Sequence, residues 1–198
     1  MLDKLARHAP RGSEAALFAR CRLAELLVEN APWRAALQAR EVLQHQESDR
    51  AWAVLGLAHT LLGNYRAARG AYRRALELAP DCPRYLHNLG HLLDVALDRP
   101  GEAVALLRAA HREEPAEVEI ATSLAHALVR AGRRRDAVRV LKRATRSSDA
   151  AIDATLSDWL TQDPPGSGQR ASLPPANVEP EPRARRRRSE AARRPPGD

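Results

Sequence analysis

The chain has little of what builds β-sheet cores. Phe, Trp and Tyr together make up 4% of its 198 residues, with one Phe and one Met. Sheet surfaces favour aromatic and β-branched side chains. A core this poor in aromatics and rich in Ala and Leu predicts closely packed helices rather than a sandwich or barrel. Cysteine is scarce too: Cys21 and Cys82 lie far apart and form no CxxC, so each is expected to be a reduced, buried thiol. No stretch approaches the ~20 apolar residues of a membrane span. The opening MLDKLARHAPRGSEAALFAR is broken by charge every few positions and lacks a secretory apolar region. A soluble, cytoplasmic protein is the expectation.

The motifs of catalysis are also missing. There is no GxxxxGK[ST], GxSxG or HExxH, and no GxGxxG after a strand. Carboxylates are plentiful but scattered, with none paired in a pocket the sequence can locate. The expectation is a non-catalytic chain that needs no cofactor. Lysine is almost absent: of 32 basic residues only Lys4 and Lys142 are not arginine. With the abundant alanine, this suggests a GC-rich bacterial genome and weakens arginine count as a sign of nucleic-acid binding. The net charge of +7 divides unevenly. Residues 1–162 carry 24 basic against 20 acidic groups (+4), and residues 163–198 carry 8 against 5 (+3).

What is present is a repeat. In AWAVLGLAHTLLGNYRAARGAYRRALELAP (51–80), Trp52, Leu55, Gly56, Ala68, Tyr72, Ala75 and Pro80 punctuate two helical patterns around a Gly63-Asn64 turn. Counting from residue 49, the pattern restarts 34 residues later at Pro83, with Leu86, Leu89, Gly90, Ala103, Leu107, Ala110 and Pro115. One extra residue is expected in the turn DVALDRPG of this second unit. A third start at Val118 gives Ala121, Leu124, Ala125, Ala137, Leu141 and Ala144, with Asp149 where the proline would stand. Small residues let the two helices of a unit approach, large apolar ones fill the space between units, and proline ends the second helix. One such unit cannot bury its apolar faces alone, whereas a stack forms a continuous core.

This pattern resembles the tetratricopeptide repeat family, at 49–82 nearly completely, at 83–117 with the insertion, and at 118–147 without the glycine and proline. The resemblance implies an all-α, right-handed superhelical solenoid of helix-turn-helix units. Upstream, 13–46 reads as a degenerate leading helix pair. There Phe18, Cys21, Leu26 and Val28 sit near one stripe, and Trp33, Ala36, Leu37, Val42 and Leu43 continue it. Arg22 takes the usual small-residue position. Downstream, 148–161 reads as a capping helix, with Ile152, Leu156, Trp159 and Leu160 on one face and Ser148 or Asp149 as N-cap. The alternative for it is a partner-binding amphipathic helix.

In the family the first helix of each unit lines a concave groove. The resemblance then places three groups of residues there: Arg50, Ala53, Val54, Leu57, Thr60 and Leu61; Arg84, His87, Asn88, His91, Asp94 and Val95; and Glu119, Thr122, Ser123, His126, Val129 and Arg130. The partner-binding candidates are Arg50, Leu57, Arg84, His87, Asn88, His91, His126 and Arg130. A histidine-rich centre suits polar recognition of a peptide, with an apolar wall from the first unit. His87 and His91 at i,i+4 with His126 make a metal site conceivable, yet no cysteine or second tier of ligands supports it, so no metal is expected. His59 is read as a core-edge residue, and Tyr65 and Tyr72 as core. One subgroup of the family clamps a peptide carboxylate with Lys/Asn, Asn and Lys/Arg. Only Asn88 fits that scheme, so it is not carried over.

Residues 163–198 hold eight of the 14 prolines and hardly any large apolar side chain, so the segment is expected to be disordered. Within it, Arg183, Arg185, Arg186, Arg187 and Arg188 form a run that is either a salt-sensitive polyanion contact or a solubilising tail. The expected function is to hold a partner protein or peptide in the groove. The alternative is a nucleic-acid-associated factor whose tail binds while its repeats recruit.

Overall fold

The computed structural model describes residues 1–162 other than Arg11, Arg146 and Ser147. The segment 163–198, including its arginine run, lies outside the described residues. Among those described, every regular element is helical. In chain order they are α1 (Leu2–His8), α2 (Glu14–Leu27), α3 (Pro32–Leu43), α4 (Asp49–Leu61), α5 (Tyr65–Leu78), α6 (Pro83–His91), α7 (Pro100–Glu113), α8 (Val118–Arg130), α9 (Arg134–Thr145) and α10 (Asp149–Gln162). A π-helical turn, Leu92–Ala96, prolongs α6.

Local chemistry explains where these helices begin and end. Ser13, Ser48 and Ser148 each accept a hydrogen bond at 3.3 Å from a backbone N–H three residues on, capping α2, α4 and α10. Prolines open α3, α6 and α7, where the missing N–H costs nothing. Gly63 (φ +74°) and Gly132 (φ +76°) turn the chain between α4 and α5 and between α8 and α9. A Cβ is strained in that left-handed region.

Neighbouring helices pack pairwise into an all-α repeat solenoid. The small residues act at the closest approaches. A Cβ on Gly56 would sit 2.8 Å from the Tyr72 ring, and one on Gly90 would sit 2.6 Å from Leu107 Cγ. Ala125 fills the equivalent place in the third unit and is fully buried. The leading pair, α2 and α3, relies on alanine more than its sequence predicts. Ala19, Ala24, Ala35 and Ala39 are fully buried, whereas Phe18, Leu26, Trp33 and Leu37 are more than half exposed. The large side chains of that stripe therefore lie outward, because the alanine faces already close the gap between helices. Cys21 and Cys82 are half-buried free thiols, more open than expected.

The insertion in the second unit lies in the helix rather than the turn. Leu97 N–H reaches back to Leu92 C=O at 3.1 Å, five residues earlier, and Arg99 N–H to Leu93 C=O at 2.8 Å. The chain then reverses through Asp98 at φ 51°. A π turn absorbs one added residue inside a helix without breaking it. At the far end, α10 packs on α8 and α9, and its Ile152 and Leu156 enter the core shared with Leu124, Leu128 and Leu141.

Candidate functional site

Three first helices of successive pairs enclose a cleft of about 210 Å³. From α2 and its C-terminal end come Arg22, Glu25 and Val28; from α4, Arg50, Ala53, Val54 and Leu57; from α6, Arg84, Tyr85 and Asn88. Spacings of three and four residues bring each set onto one helical face. Of the residues expected in the groove, Arg50, Ala53, Val54, Leu57, Arg84 and Asn88 meet here.

The charges of the cleft are unequal. Glu25 Oε1 accepts from Arg50 Nε at 2.8 Å and lies 2.5 Å from its Nη2. Glu25 Oε2 accepts from Arg22 Nη1 at 2.5 Å. One carboxylate thus serves two guanidinium groups. Arg84 is exposed and forms no hydrogen bond or ion pair among the described residues. Val28 and Val54 are buried beneath, with Leu57 half-buried beside them. The Tyr85 hydroxyl donates to Asp49 Oδ2 at 2.9 Å, which fixes the wall between α4 and α6. Burial, and then Asp49, push the Tyr85 phenol up, so it stays a donor. The buried Tyr72 hydroxyl, near the Thr60 and Asn88 side chains, is pushed up to about 12 by burial. Burial, and then Glu25, also raise the Cys21 thiol, leaving it an unreactive neighbour of the cleft.

The histidines do not form one cluster. His87 shares a 3.0 Å hydrogen bond with Ser123 Oγ across α6 and α8, and its ring centre is 6.1 Å from that of exposed His91. Burial lowers the His87 pKa below its usual value, so the ring is neutral near pH 7. His126 turns elsewhere: its Nδ1 is 2.6 Å from Asp94 Oδ2, and its ring meets Trp159 of α10 edge-on at 5.3 Å. No group of three His, Cys, Asp or Glu among the described residues is placed to hold a metal ion.

Asp94, Val129 and Arg130, expected in the groove lining, are buried and lie outside the cleft. Arg130 Nη1 donates to Asp94 Oδ1 at 3.0 Å and to the Asp94 carbonyl oxygen, and Nη2 donates to Asp98 Oδ1 at 2.6 Å. Asp94 lies within the π turn, and Arg130 and His126 of α8 meet its carboxylate there. Conversely, Arg22, Glu25, Val28 and Tyr85 line the cleft although they were not expected there. Arg22 carried a signal: it breaks the small-residue pattern, with Glu25 three residues on along the same helical face.

Stacked helix pairs joined by glycine turns, with a cleft across their first helices, define a helix-turn-helix repeat solenoid. Two family models, both described as tetratricopeptide repeat, match residues 50–82 and 95–156. Over those residues the chain is built of tetratricopeptide repeats, which makes it a protein-interaction module. Comparison with curated proteins finds no match. Among solved structures, it is similar to MamA with TM-score 0.64 at 18% identity, over 79% of this chain and 87% of that one. YrrB, described as a TPR protein with an unusual peptide-binding site, gives TM-score 0.64 at 19% identity, over 74% and 77%. MamA from Desulfovibrio magneticus RS-1 gives 0.60 at 16%, over 82% and 84%. At these identities the likeness is one of fold. No helix among the described residues is long and apolar enough to cross a membrane.

Proposed function

We propose that the chain holds a partner protein or peptide in the cleft across α2, α4 and α6, without catalysing a reaction on it, as a scaffold, adaptor or partner-specific chaperone. The observation that carries this reading is the composition of the cleft. An exposed cation without a partner among the described residues, Arg84, stands beside an apolar floor of Val28, Val54 and Leu57 and the amide of Asn88. Side chains of a peptide need that combination: a place to bury, a charge and a hydrogen bond. The volume, about 210 Å³, falls below the roughly 300–1,000 Å³ of a small-molecule site. The likeness in fold to YrrB, whose description includes a peptide-binding site, is consistent with a peptide as the partner.

The test is affinity capture from nuclease-treated lysate with the full chain, residues 1–162, and two variants of the full chain. Leu57→Asp with Asn88→Ala alters the cleft, and His87→Ala with His91→Ala alters the face beyond it. A defined partner kept by 1–162 and lost by at least about tenfold in the cleft variant supports the proposal. A partner lost only when 163–198 is removed would move the binding function to the tail. One lost only in the histidine variant would move it along the solenoid towards α8.

A further inference from the structure

Resting on that reading, we infer that the segment held in the cleft is acidic, and that Glu25 competes, in the free protein, for the Arg50 guanidinium that a partner carboxylate takes on binding. The lining holds three guanidinium groups and one carboxylate. Glu25 is shared between Arg22 and Arg50, and Arg84 has no partner among the described residues. Each guanidinium presents five N–H donors, so a single carboxylate leaves most of them to solvent. Of the neutral donors in the wall, the Tyr85 hydroxyl already serves Asp49, which leaves the Asn88 amide beside the guanidinium groups. An incoming carboxylate between Arg84 and Arg50 therefore finds donors and positive charge together, in a cleft open on one side and apolar beneath. The floor of Val28, Val54 and Leu57 selects an aliphatic residue next to the acidic one. The chain's own run Arg183 to Arg188 has the same sign as the cleft and is a poor occupant.

Glu25 then sets the threshold for binding. With its side chain one quarter exposed and both oxygens on cleft arginines, it holds the guanidinium groups in place and competes with the ligand for them. Removing its charge frees two cations for an acidic peptide. A purely structural bridge between α2 and α4 would behave in the opposite way, since losing it would loosen the cleft and weaken binding. The Arg22 and Arg50 side chains are nearly half exposed, so these pairs contribute modestly to folding and the variant is expected to remain folded. A thermal melt of each variant checks this.

The experiment selects binders to the full chain from a display library of random dodecapeptides fused at both ends, so that no free terminus takes part. The best are resynthesised with blocked ends and titrated by fluorescence anisotropy. We expect peptides in which Asp or Glu flank Leu, Ile or Val. Arg84→Ala is expected to weaken them about tenfold, Glu25→Gln to tighten them about three- to tenfold, and binding to fall between about 50 and about 300 mM salt. Neutral or basic peptides that are lost in Leu57→Asp would overturn the acidic ligand while leaving the cleft as the binding site. Acidic peptides that bind Glu25→Gln no better, or Arg84→Ala no worse, would overturn the role given to those residues. If no peptide is enriched, or those enriched ignore Leu57→Asp, the cleft reading falls as well. Displacement of the peptides by a short single-stranded oligonucleotide that itself needs Arg84 would assign the cleft to nucleic acid and overturn the inference.

Discussion

At position 94 a carboxylate sits with 1% of the residue exposed, an arrangement that desolvation alone would forbid. It persists because Arg130, with 6% of its side chain exposed, and His126 approach it from α8. Breaking such a pair from one side strands the other charge, whereas replacing both members with apolar residues is often harmless. Asp94→Ala is therefore expected to lower stability by about 3 kcal/mol, or about 6–12 °C in Tm for a chain of this size. Asp98→Ala removes the half-exposed partner and should cost under about 1 kcal/mol. The double variant Asp94→Leu with Arg130→Met should recover most of the first loss in a thermal melt. A melt in which Asp94→Ala and Asp98→Ala cost the same would show that burial is not what makes Asp94 matter.

At the scale of elements, α10 places Ile152 and Leu156, both essentially buried, against Leu124, Leu128 and Leu141, with Trp159 and Leu160 packed at the margin. A solenoid needs such a cover, because its last pair otherwise leaves an apolar face in water. Leu156→Ala is expected to destabilise by about 2–5 kcal/mol. Because contacts in a stack run between neighbours, the effect should be local. Amide exchange should quicken in α8 and α9 well before α2 and α3. Uniform acceleration along the chain would instead describe one cooperative unit. The sequence marks α10 clearly through its apolar face and its serine cap. It does not mark the π turn, since an added residue reads the same in a loop or a widened helix until Leu92 and Leu97 are seen to pair.

Acid stability belongs to the molecule as a whole. Burial lowers the pKa of His59, His87 and His111 below the ordinary value of 6.5. Above that value these rings are neutral both folded and unfolded, and they make stability independent of pH. As pH falls through 6.5 the unfolded chain takes up protons that the folded rings resist, so the folded state loses ground. The loss levels off once pH passes below the lowered folded values. Denaturant midpoints should therefore begin to fall near pH 6.5, before any carboxylate titrates, and His87→Gln should flatten part of that slope. A midpoint that stays constant down to pH 5 would contradict the burial of these rings.

The thirty-four-residue spacing of Gly56 and Gly90, and the thirty-five-residue spacing of Ala68 and Ala103 and of Pro80 and Pro115 beyond the added residue, suffice to determine an all-α stack and its pairing order, because those residues act through local sterics and backbone conformation. Helical period sets Arg50 with Leu57 and Arg84 with Asn88 on their own helices, and the family resemblance implies that the two sets share one groove. Tertiary structure decided the rest. Whether Phe18 and Trp33 point inward depends on the alanine faces that close first between α2 and α3. Whether Asp94 and Arg130 line a groove or bury one another depends on how α8 packs against the π turn, a contact across 36 residues of chain. That Arg22 and Glu25 of the degenerate pair share the cleft of the clear repeats depends on stacking between units, a long-range contact that no periodicity within one helix encodes.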